Sequence, residues 1–197
     1  MPETTDFRNG LDAITKLALD LADQTPSPVI LIDGKAGAGK SSFALELRNQ
    51  IFRSSDAAPV LVLMDDLYPG WDGLRAGSNY LNQNILQGLR AGQTARWQLW
   101  DWEQGCRGRK SEPGNGWREF AGGNLLIVEG CGAISRTSRD LSNLAIWIEA
   151  PAAERKARWH ERDAGKFDEY WGIWQAQEDE FHQTESSKDL ADWTIQN

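Results

Sequence analysis

The sequence predicts a three-layer α/β/α fold with a mainly parallel five-stranded sheet, and three observations support this. Apolar runs typical of buried strands recur along the chain, at residues 29–32, 60–64, 125–128, 144–148 and 193–195. Helical segments separate most of these runs, and strands that alternate with helices form parallel sheets. The 197 residues are enough for one domain with a sizeable core and too few for two.

The helices are predicted from apolar residues at helical spacing. They cover residues 7–21, a segment that begins at residue 42, a segment between residues 77 and 92, and residues 152–163 and 167–183. Residues 93–123 are rich in Gly, Arg and Trp and have weak periodicity, which is typical of functional loops. We therefore expect a single domain over residues 1–197, with an N-terminal helix in 1–25, acceptor-site loops in 93–123, and a small helical lid with its following helix in 152–184.

The segment after the first predicted strand fits the phosphate-loop pattern G-x-x-x-x-G-K-[ST] at every fixed position. Glycines let successive N–H groups point at phosphate oxygens, and the start of the next helix adds its positive dipole end. Lys40 would reach the β- and γ-phosphates of a nucleoside triphosphate, and the Ser41 hydroxyl would bind Mg²⁺. The residues expected to bind the nucleotide are Gly34, Ala36, Gly37, Ala38, Gly39, Lys40, Ser41 and Ser42. A glycine-rich turn that binds nothing would not need Lys40 and Ser41.

Composition excludes several classes of function. The formal net charge of −8 argues against nucleic acid as the main partner. Cys106 and Cys131 form neither a disulfide framework nor a metal-ligand pattern, which suits a reducing cytosol. The acidic start of the chain has no apolar segment like that of a signal peptide, and no run approaches the roughly 18 apolar residues of a membrane span. We expect a cytoplasmic protein with no membrane partner.

Carboxylates follow two of the predicted strands. Asp65 and Asp66 come directly after the second strand, and Glu129 ends the third. In a parallel sheet, ligands bind beyond the carboxyl ends of the strands, where the phosphate loop also lies. A carboxylate at that place can hold a Mg²⁺ water or accept a proton from an attacking hydroxyl. Strand ends are also often polar merely because the chain reaches the surface there.

Four short segments resemble the uridine–cytidine kinases, a family grouped with phosphoribulokinase and the bacterial pantothenate kinases. Residues 65–68 (D-D-L-Y) look like the family's D-S-F-Y. Residues 100–102 (W-D-W), with arginine at 107, are similar to its Y-D-F and the arginine five residues beyond. Residues 127–130 resemble its strand ending in E-G. The arginines and aspartate of the family's lid-opening run, R-x-x-R-x-x-x-R-D, are matched by Arg155, Arg158, Arg162 and Asp163.

The resemblance implies a role for each matching residue. Asp65 would be the general base at the acceptor hydroxyl, with Asp66 the less favoured choice. Glu129 would support Mg²⁺. The resemblance also places Tyr68, Trp100 and Arg107 in the acceptor pocket, and Arg158 and Arg162 over the transferring phosphoryl group. Arginines on a charged helix can also simply face solvent.

The resemblance leaves the acceptor open. Gly105 stands where the family has a histidine that helps to select pyrimidine nucleosides, and the segment 69–74 (P-G-W-D-G-L) has no counterpart in its better-known enzymes. The sequence therefore predicts a distinct branch: an ATP- and Mg²⁺-dependent kinase for a small molecule, a nucleoside-like acceptor being favoured over other metabolites. The alternatives are a nucleotide-dependent switch protein and a kinase-derived binding protein without turnover. The first helix could also pack on a second copy of the chain, which allows a homodimer.

Overall fold

A computed structural model describes residues 2–55 and 57–197. Its strands are β1 (Glu3–Asp6), β2 (Val29–Asp33), β3 (Val60–Leu63), β4 (Ala95–Gln98), β5 (Trp100–Asp101), β6 (Cys106–Arg107), β7 (Trp117–Phe120), β8 (Leu126–Glu129), β9 (Leu144–Glu149) and β10 (Trp193–Gln196). Six of them form one parallel sheet in the order β1-β10-β9-β2-β8-β3. Two small antiparallel pairs, β4 with β7 and β5 with β6, lie outside this sheet.

Helices connect the strands of the sheet. They are α1 (Phe7–Gln24), α2 (Lys40–Ser54), α3 (Leu74–Leu81), α4 (Gln87–Arg90), α5 (Arg136–Asp140), α6 (Ala152–Arg162), α7 (Trp171–Glu185) and α8 (Ser187–Leu190). A π-helical turn, Asn82–Leu86, joins α3 to α4. Asp6 caps the N-terminus of α1 by accepting the N–H groups of Arg8 and Asn9, each at 3.0 Å. No helix formed by the described residues is both long enough and apolar enough to cross a membrane.

The sheet has an apolar core on each face because successive strand residues point to opposite sides. On one face, Ile30 and Ile32 of β2 pack with Ile14 of α1 and with Phe43 and Leu47 of α2. On the other face, Leu31 of the same strand packs with residues of α3 and α7. Both faces are therefore covered, and the central strands are apolar up to the acidic residue that ends each of them.

The predicted α/β fold is confirmed, but the sheet has six strands instead of five. The additional strand, β1, lies at the edge and pairs with β10 through Thr4 and Thr194. Its residues are polar and mostly exposed, so that no apolar run marks it in the sequence. Residues 93–123, predicted to be irregular, contain the two small antiparallel pairs. The first helix packs on α2 of its own chain, where Phe7 meets Phe43 edge to face.

Candidate active site

The phosphate loop joins β2 to α2 and has the backbone that its glycines permit. Gly37 has a φ of +77°, and a Cβ there would lie 2.2 Å from the carbonyl oxygen of Arg155 in α6. Only glycine accommodates both the left-handed backbone and this close approach. Helix α2 begins at Lys40 directly after Gly39, so the N–H groups of its first turn lie at the loop.

Six of the eight residues expected to bind nucleotide line one large cavity: Ala36, Gly37, Gly39, Lys40, Ser41 and Ser42. The other two, Gly34 and Ala38, use their N–H groups within the protein. Gly34 donates to the Asp33 carboxylate at 2.6 Å, and Ala38 donates to the carbonyl of Lys35 at 3.1 Å. These bonds hold the loop in shape on the side away from the cavity.

Lys40 is buried, and its Nζ lies 3.1 Å from the carbonyl oxygen of Lys35 and 3.3 Å from the Cys131 sulfur. Burial alone would lower the pKa of Lys40, but the neighbouring carboxylates of Glu178, Glu129 and Asp33 raise it above its usual value. Burial also raises the pKa of the Cys131 thiol, which keeps that group neutral. The carboxylates therefore keep Lys40 charged, as a phosphate-binding lysine must be.

Asp33 and His182 lie buried beneath the loop. The Asp33 carboxylate accepts N–H groups from Gly34, Gly132 and Ile134 at 2.6–3.1 Å, and burial raises its pKa to about 7. His182 Nε2 is 3.9 Å from the same carboxylate, and burial lowers the pKa of His182 to about 4. Through these hydrogen bonds, Asp33 ties the end of β2 to the segment after β8.

Asp65 follows β3 and reaches the same cavity as Lys40 and Ser41. The Trp102 indole N–H donates to the Asp65 carbonyl at 2.9 Å, which fixes the backbone at this position. Asp65 is solvent-exposed where it faces the open cavity, but the surrounding protein still desolvates its carboxylate and raises the pKa of Asp65. The charges of Arg162 and Lys40 act in the opposite direction. A raised pKa makes a carboxylate a stronger base.

Glu129, at the end of β8, lines the cavity beside Ser41. Desolvation raises the pKa of Glu129, while Lys40 and the Ser41 hydroxyl lower it. The hydroxyl and the carboxylate are thus close enough to act on one ion, and both are oxygen donors of the kind that Mg²⁺ prefers. Within residues 2–55 and 57–197, no cluster of three or more His, Cys, Asp or Glu side chains could hold a metal by itself. A Mg²⁺ ion here would need phosphate oxygens and water as further ligands.

Helix α6 lies over the phosphate loop. Arg155 and Arg158 donate to the carbonyl oxygens of Ala36 and Gly37, at 3.2 Å and 3.3 Å. Arg158 and Arg162 line the cavity, as does Lys166 just beyond the helix. The positive charge of Arg162 lowers the pKa of both Asp65 and Glu129, and all three residues line the same cavity.

The cavity has a volume of about 840 Å³ and an aromatic wall. The rings are those of Tyr68, Trp71, Trp102, Trp159, Phe167 and Trp174. Trp71 is at the centre of this wall: it stacks on Tyr170 with a centroid separation of 4.3 Å and an interplanar angle of 6°, and it contacts Trp102 at 4.9 Å. A flat or ring-shaped molecule would find an apolar face next to the Asp65 carboxylate.

Two of the residues predicted for the acceptor pocket are not among those that line the cavity. Arg107 donates to the carbonyls of Leu67 and Gln98 at 2.8 Å and 3.2 Å, and its guanidinium lies 3.5 Å from the centre of the Tyr80 ring. Trp100 pairs with Arg107 across β5 and β6. Both therefore support the strands behind the pocket. Tyr68 lines the cavity, but its hydroxyl already donates to the Cys131 carbonyl at 2.7 Å.

Sequence reasoning missed Trp71, Trp102, Cys131 and Glu178. The ten tryptophans and the unplaced segment 69–74 were the available signals for Trp71. No signal existed for Glu178, which comes from helix α7, 142 residues beyond its partner Ala36. The structure also accounts for Gly105, because this residue turns the chain between β5 and β6 with a φ of +62°. Glycine adopts that backbone more readily than histidine does.

Comparison with solved structures shows the same fold in two other proteins. One is a possible uridine kinase from Bacillus stearothermophilus: the TM-score is 0.66 at 18% identity, over 95% of this chain and 98% of that one. The other is provisionally assigned as a fructose transport system kinase from Silicibacter sp. TM1040, with a TM-score of 0.60 at 18% identity, over 93% and 98%. Searches against protein-family models and curated proteins found no match. The chain has the fold of the uridine kinase-like P-loop kinases, which confirms the expected likeness at the level of fold.

Proposed function

We propose that this protein is a kinase that transfers the γ-phosphoryl group of ATP to a hydroxyl group of a small molecule. One observation carries the proposal: the Asp65 carboxylate, with its raised pKa, lines the same cavity as Lys40 and Ser41 of the phosphate loop. A nucleotide-dependent switch needs the loop but has no use for a base at the acceptor position. The kinase fold of the two structural neighbours supports the same interpretation.

In this reaction Asp65 accepts the proton of the acceptor hydroxyl. The acceptor oxygen forms a bond to the γ-phosphorus, the bond from that phosphorus to the bridging oxygen breaks, and ADP leaves with the electron pair. Lys40 and the loop N–H groups hold the phosphates in place. Positioning and electrostatic stabilisation carry most of such a reaction, since the protein forms no covalent bond to the phosphoryl group.

Ser41 and Glu129 would hold Mg²⁺, the hydroxyl directly and the carboxylate through water. When bound, Mg²⁺ neutralises charge on the β- and γ-phosphate oxygens. Arg158 and Arg162 would face the γ-phosphoryl group from α6 and stabilise the charge that spreads over its oxygens. Because Arg158 and Arg162 lie on the helix that closes the cavity, they also help to exclude water, which would otherwise compete with the acceptor.

The acceptor is best supported as an uncharged, ring-bearing alcohol, with a nucleoside-like molecule favoured over other metabolites. Two arginines near the acceptor side are already used within the protein: Arg107 as described above, and Arg109 in an ion pair with Asp66 at 3.0 Å. Besides Lys40 of the loop, the cations that line the cavity among the described residues, Arg158, Arg162 and Lys166, lie on the lid above the phosphate loop. An anionic acceptor would therefore lack a dedicated partner, whereas a ring can stack on Trp71 or Trp102.

We also place the reaction in the cytosol, with no nucleic-acid or membrane partner. Cys106 is exposed and Cys131 buried, and both are free thiols, which suits a reducing compartment. The net charge of −8 opposes binding to a polyanion. A homodimer stays a prediction that sedimentation analysis can test.

The test is Mg·ATP turnover with a panel of uncharged nucleosides and sugars, alongside the 5′-phosphates of the same nucleosides. ADP is measured with a coupled assay and the new phosphate ester by ³¹P NMR. We expect acceptor-dependent ADP release with stoichiometric ester for an uncharged member of the panel. ADP release that every acceptor leaves unchanged would favour a switch protein. Transfer confined to the nucleoside phosphates would contradict the uncharged acceptor.

A further inference from the structure

Three consecutive residues of helix α7 contact both ends of the candidate active site. Glu178 and Asp179 bind the phosphate loop, and Gln177 binds the segment that carries Trp71. Successive residues of an α-helix point about 100° apart, so one turn of a helix can reach neighbours on different sides. Helix α7 therefore lies between the nucleotide end and the acceptor end of the cavity.

On the nucleotide side, the contact is buried and charged. The Glu178 carboxylate is fully buried and accepts the Ala36 N–H at 2.6 Å and the Cys131 thiol at 3.0 Å. The same thiol lies 3.3 Å from the Lys40 amino group. Asp179 adds an ion pair with Lys35, the second residue of the phosphate loop. A shift of this loop would thus press directly on α7.

On the acceptor side, the Gln177 side chain of α7 makes hydrogen bonds to backbone atoms. The Gln177 amide donates to the Trp71 carbonyl at 2.6 Å, and its oxygen accepts the Leu74 N–H at 3.3 Å. Trp71 in turn packs against Trp102, whose indole N–H binds the Asp65 carbonyl. The position of the aromatic wall beside Asp65 therefore depends on where α7 holds the Trp71 segment.

We propose that helix α7 couples nucleotide binding to the ordering of the acceptor pocket, with Glu178 and Gln177 as positioning residues. Phosphates that enter the loop meet Lys40, which contacts the thiol that donates to Glu178, and they meet the segment whose Ala36 N–H is bound by Glu178. A helix of 15 residues transmits a displacement at one residue to its neighbour. Because coupling is reciprocal, an acceptor on Trp71 would tighten nucleotide binding by the same factor. The inference rests on the proposed function only in that a nucleotide binds the phosphate loop.

The test is amide hydrogen exchange of the full chain with and without saturating Mg·ADP, in the wild type and in Gln177→Ala. Gln183→Ala, an exposed glutamine on the same helix, is the matched control. In the wild type and the control, Mg·ADP should slow exchange in residues 37–42 and also in residues 70–77. In Gln177→Ala the first effect should persist, while the slowing in 70–77 should fall by about fivefold or more.

Two outcomes overturn the inference in different ways. Undiminished slowing of exchange in 70–77 in Gln177→Ala overturns the coupling and leaves the kinase proposal standing. Absence of any Mg·ADP effect in 37–42 of the wild type overturns the coupling together with nucleotide binding. Exchange in strands β2 and β8 reports whether each variant is folded. Gln177→Glu, which keeps the acceptor for Leu74 but loses the donor to Trp71, is the second variant and should behave like Gln177→Ala.

Discussion

Replacing Gly37 with alanine tests whether helix α6 rests directly on the phosphate loop. The residue has a φ of +77°, where a side chain costs about 1–2 kcal/mol. The new Cβ would lie 2.2 Å from the Arg155 carbonyl oxygen and 2.8 Å from its carbonyl carbon, so the lid helix or the loop must move by nearly an ångström. Such overpacking costs about 1–3 kcal/mol more. We therefore expect Gly37→Ala to lower the free energy of unfolding by about 2–5 kcal/mol.

Gly92→Ala is the matched control, because Gly92 also has a positive φ, +70°, but an added Cβ there meets no described atom within 4 Å. Gly92→Ala should lower the free energy of unfolding only by the cost of a side chain at a positive φ, about 1–2 kcal/mol. Urea denaturation gives both free energies, and calorimetry gives the dissociation constant for Mg·ADP. We expect the dissociation constant for Mg·ADP to rise at least about tenfold in Gly37→Ala alone, which corresponds to a loss of about 1.4 kcal/mol or more of binding free energy. Equal destabilisation and equal affinity in the two variants would refute the contact between the loop and the lid.

Three further predictions concern charge and the aromatic wall. Arg162→Ala removes a charge that lowers the pKa of Asp65. The acid limb of the pH profile of kcat/KM should therefore move to higher pH. An acid limb that does not move would contradict the effect of Arg162 on Asp65. His182 is neutral when folded, with its pKa lowered to about 4, so wild-type stability falls as pH drops below about 6.5. Between pH 7 and pH 4, His182→Phe should lose up to about 3 kcal/mol less of its free energy of unfolding than the wild type, as measured by urea titrations. An equal loss in both proteins would contradict the burial of His182 as a neutral ring. Trp102→Phe keeps a ring but loses the hydrogen bond to the Asp65 carbonyl. We expect the KM of the acceptor to rise while the dissociation constant for Mg·ADP stays unchanged. A larger dissociation constant for Mg·ADP would contradict the place of Trp102 on the acceptor side.

The fold could be predicted because short stretches of sequence indicate its main elements. Each central strand is a continuous apolar run, and the phosphate loop combines glycines, lysine and serine at fixed spacing. Strand β1 escaped because an edge strand of polar residues is held by backbone pairing with β10, which leaves no pattern in the side chains. The same locality made Asp65 and Glu129 visible, as each directly follows or ends a strand.

The rest of the site depends on contacts between distant segments. Glu178 reaches the phosphate loop from helix α7, and Trp71 reaches the cavity from the loop before α3. Neither position has a local signature of its role. Arg107 shows the converse: the family resemblance implied a place in the acceptor pocket, but the guanidinium contacts the Tyr80 ring and two backbone carbonyls. Side-chain type and spacing predict which residues can do chemistry, whereas packing decides which of them face the cavity.

The most direct test of the account compares Asp65→Asn with Asp66→Asn in single-turnover transfer to an accepted alcohol, with Mg·ATP affinity measured in parallel. Asp66 is the neighbouring carboxylate, and it forms an ion pair with Arg109. The account predicts that Asp65→Asn lowers the transfer rate by about a hundredfold or more with little change in ATP affinity, while Asp66→Asn keeps the rate within about tenfold. Undiminished transfer in Asp65→Asn, or a greater loss in Asp66→Asn, would contradict Asp65 as the base.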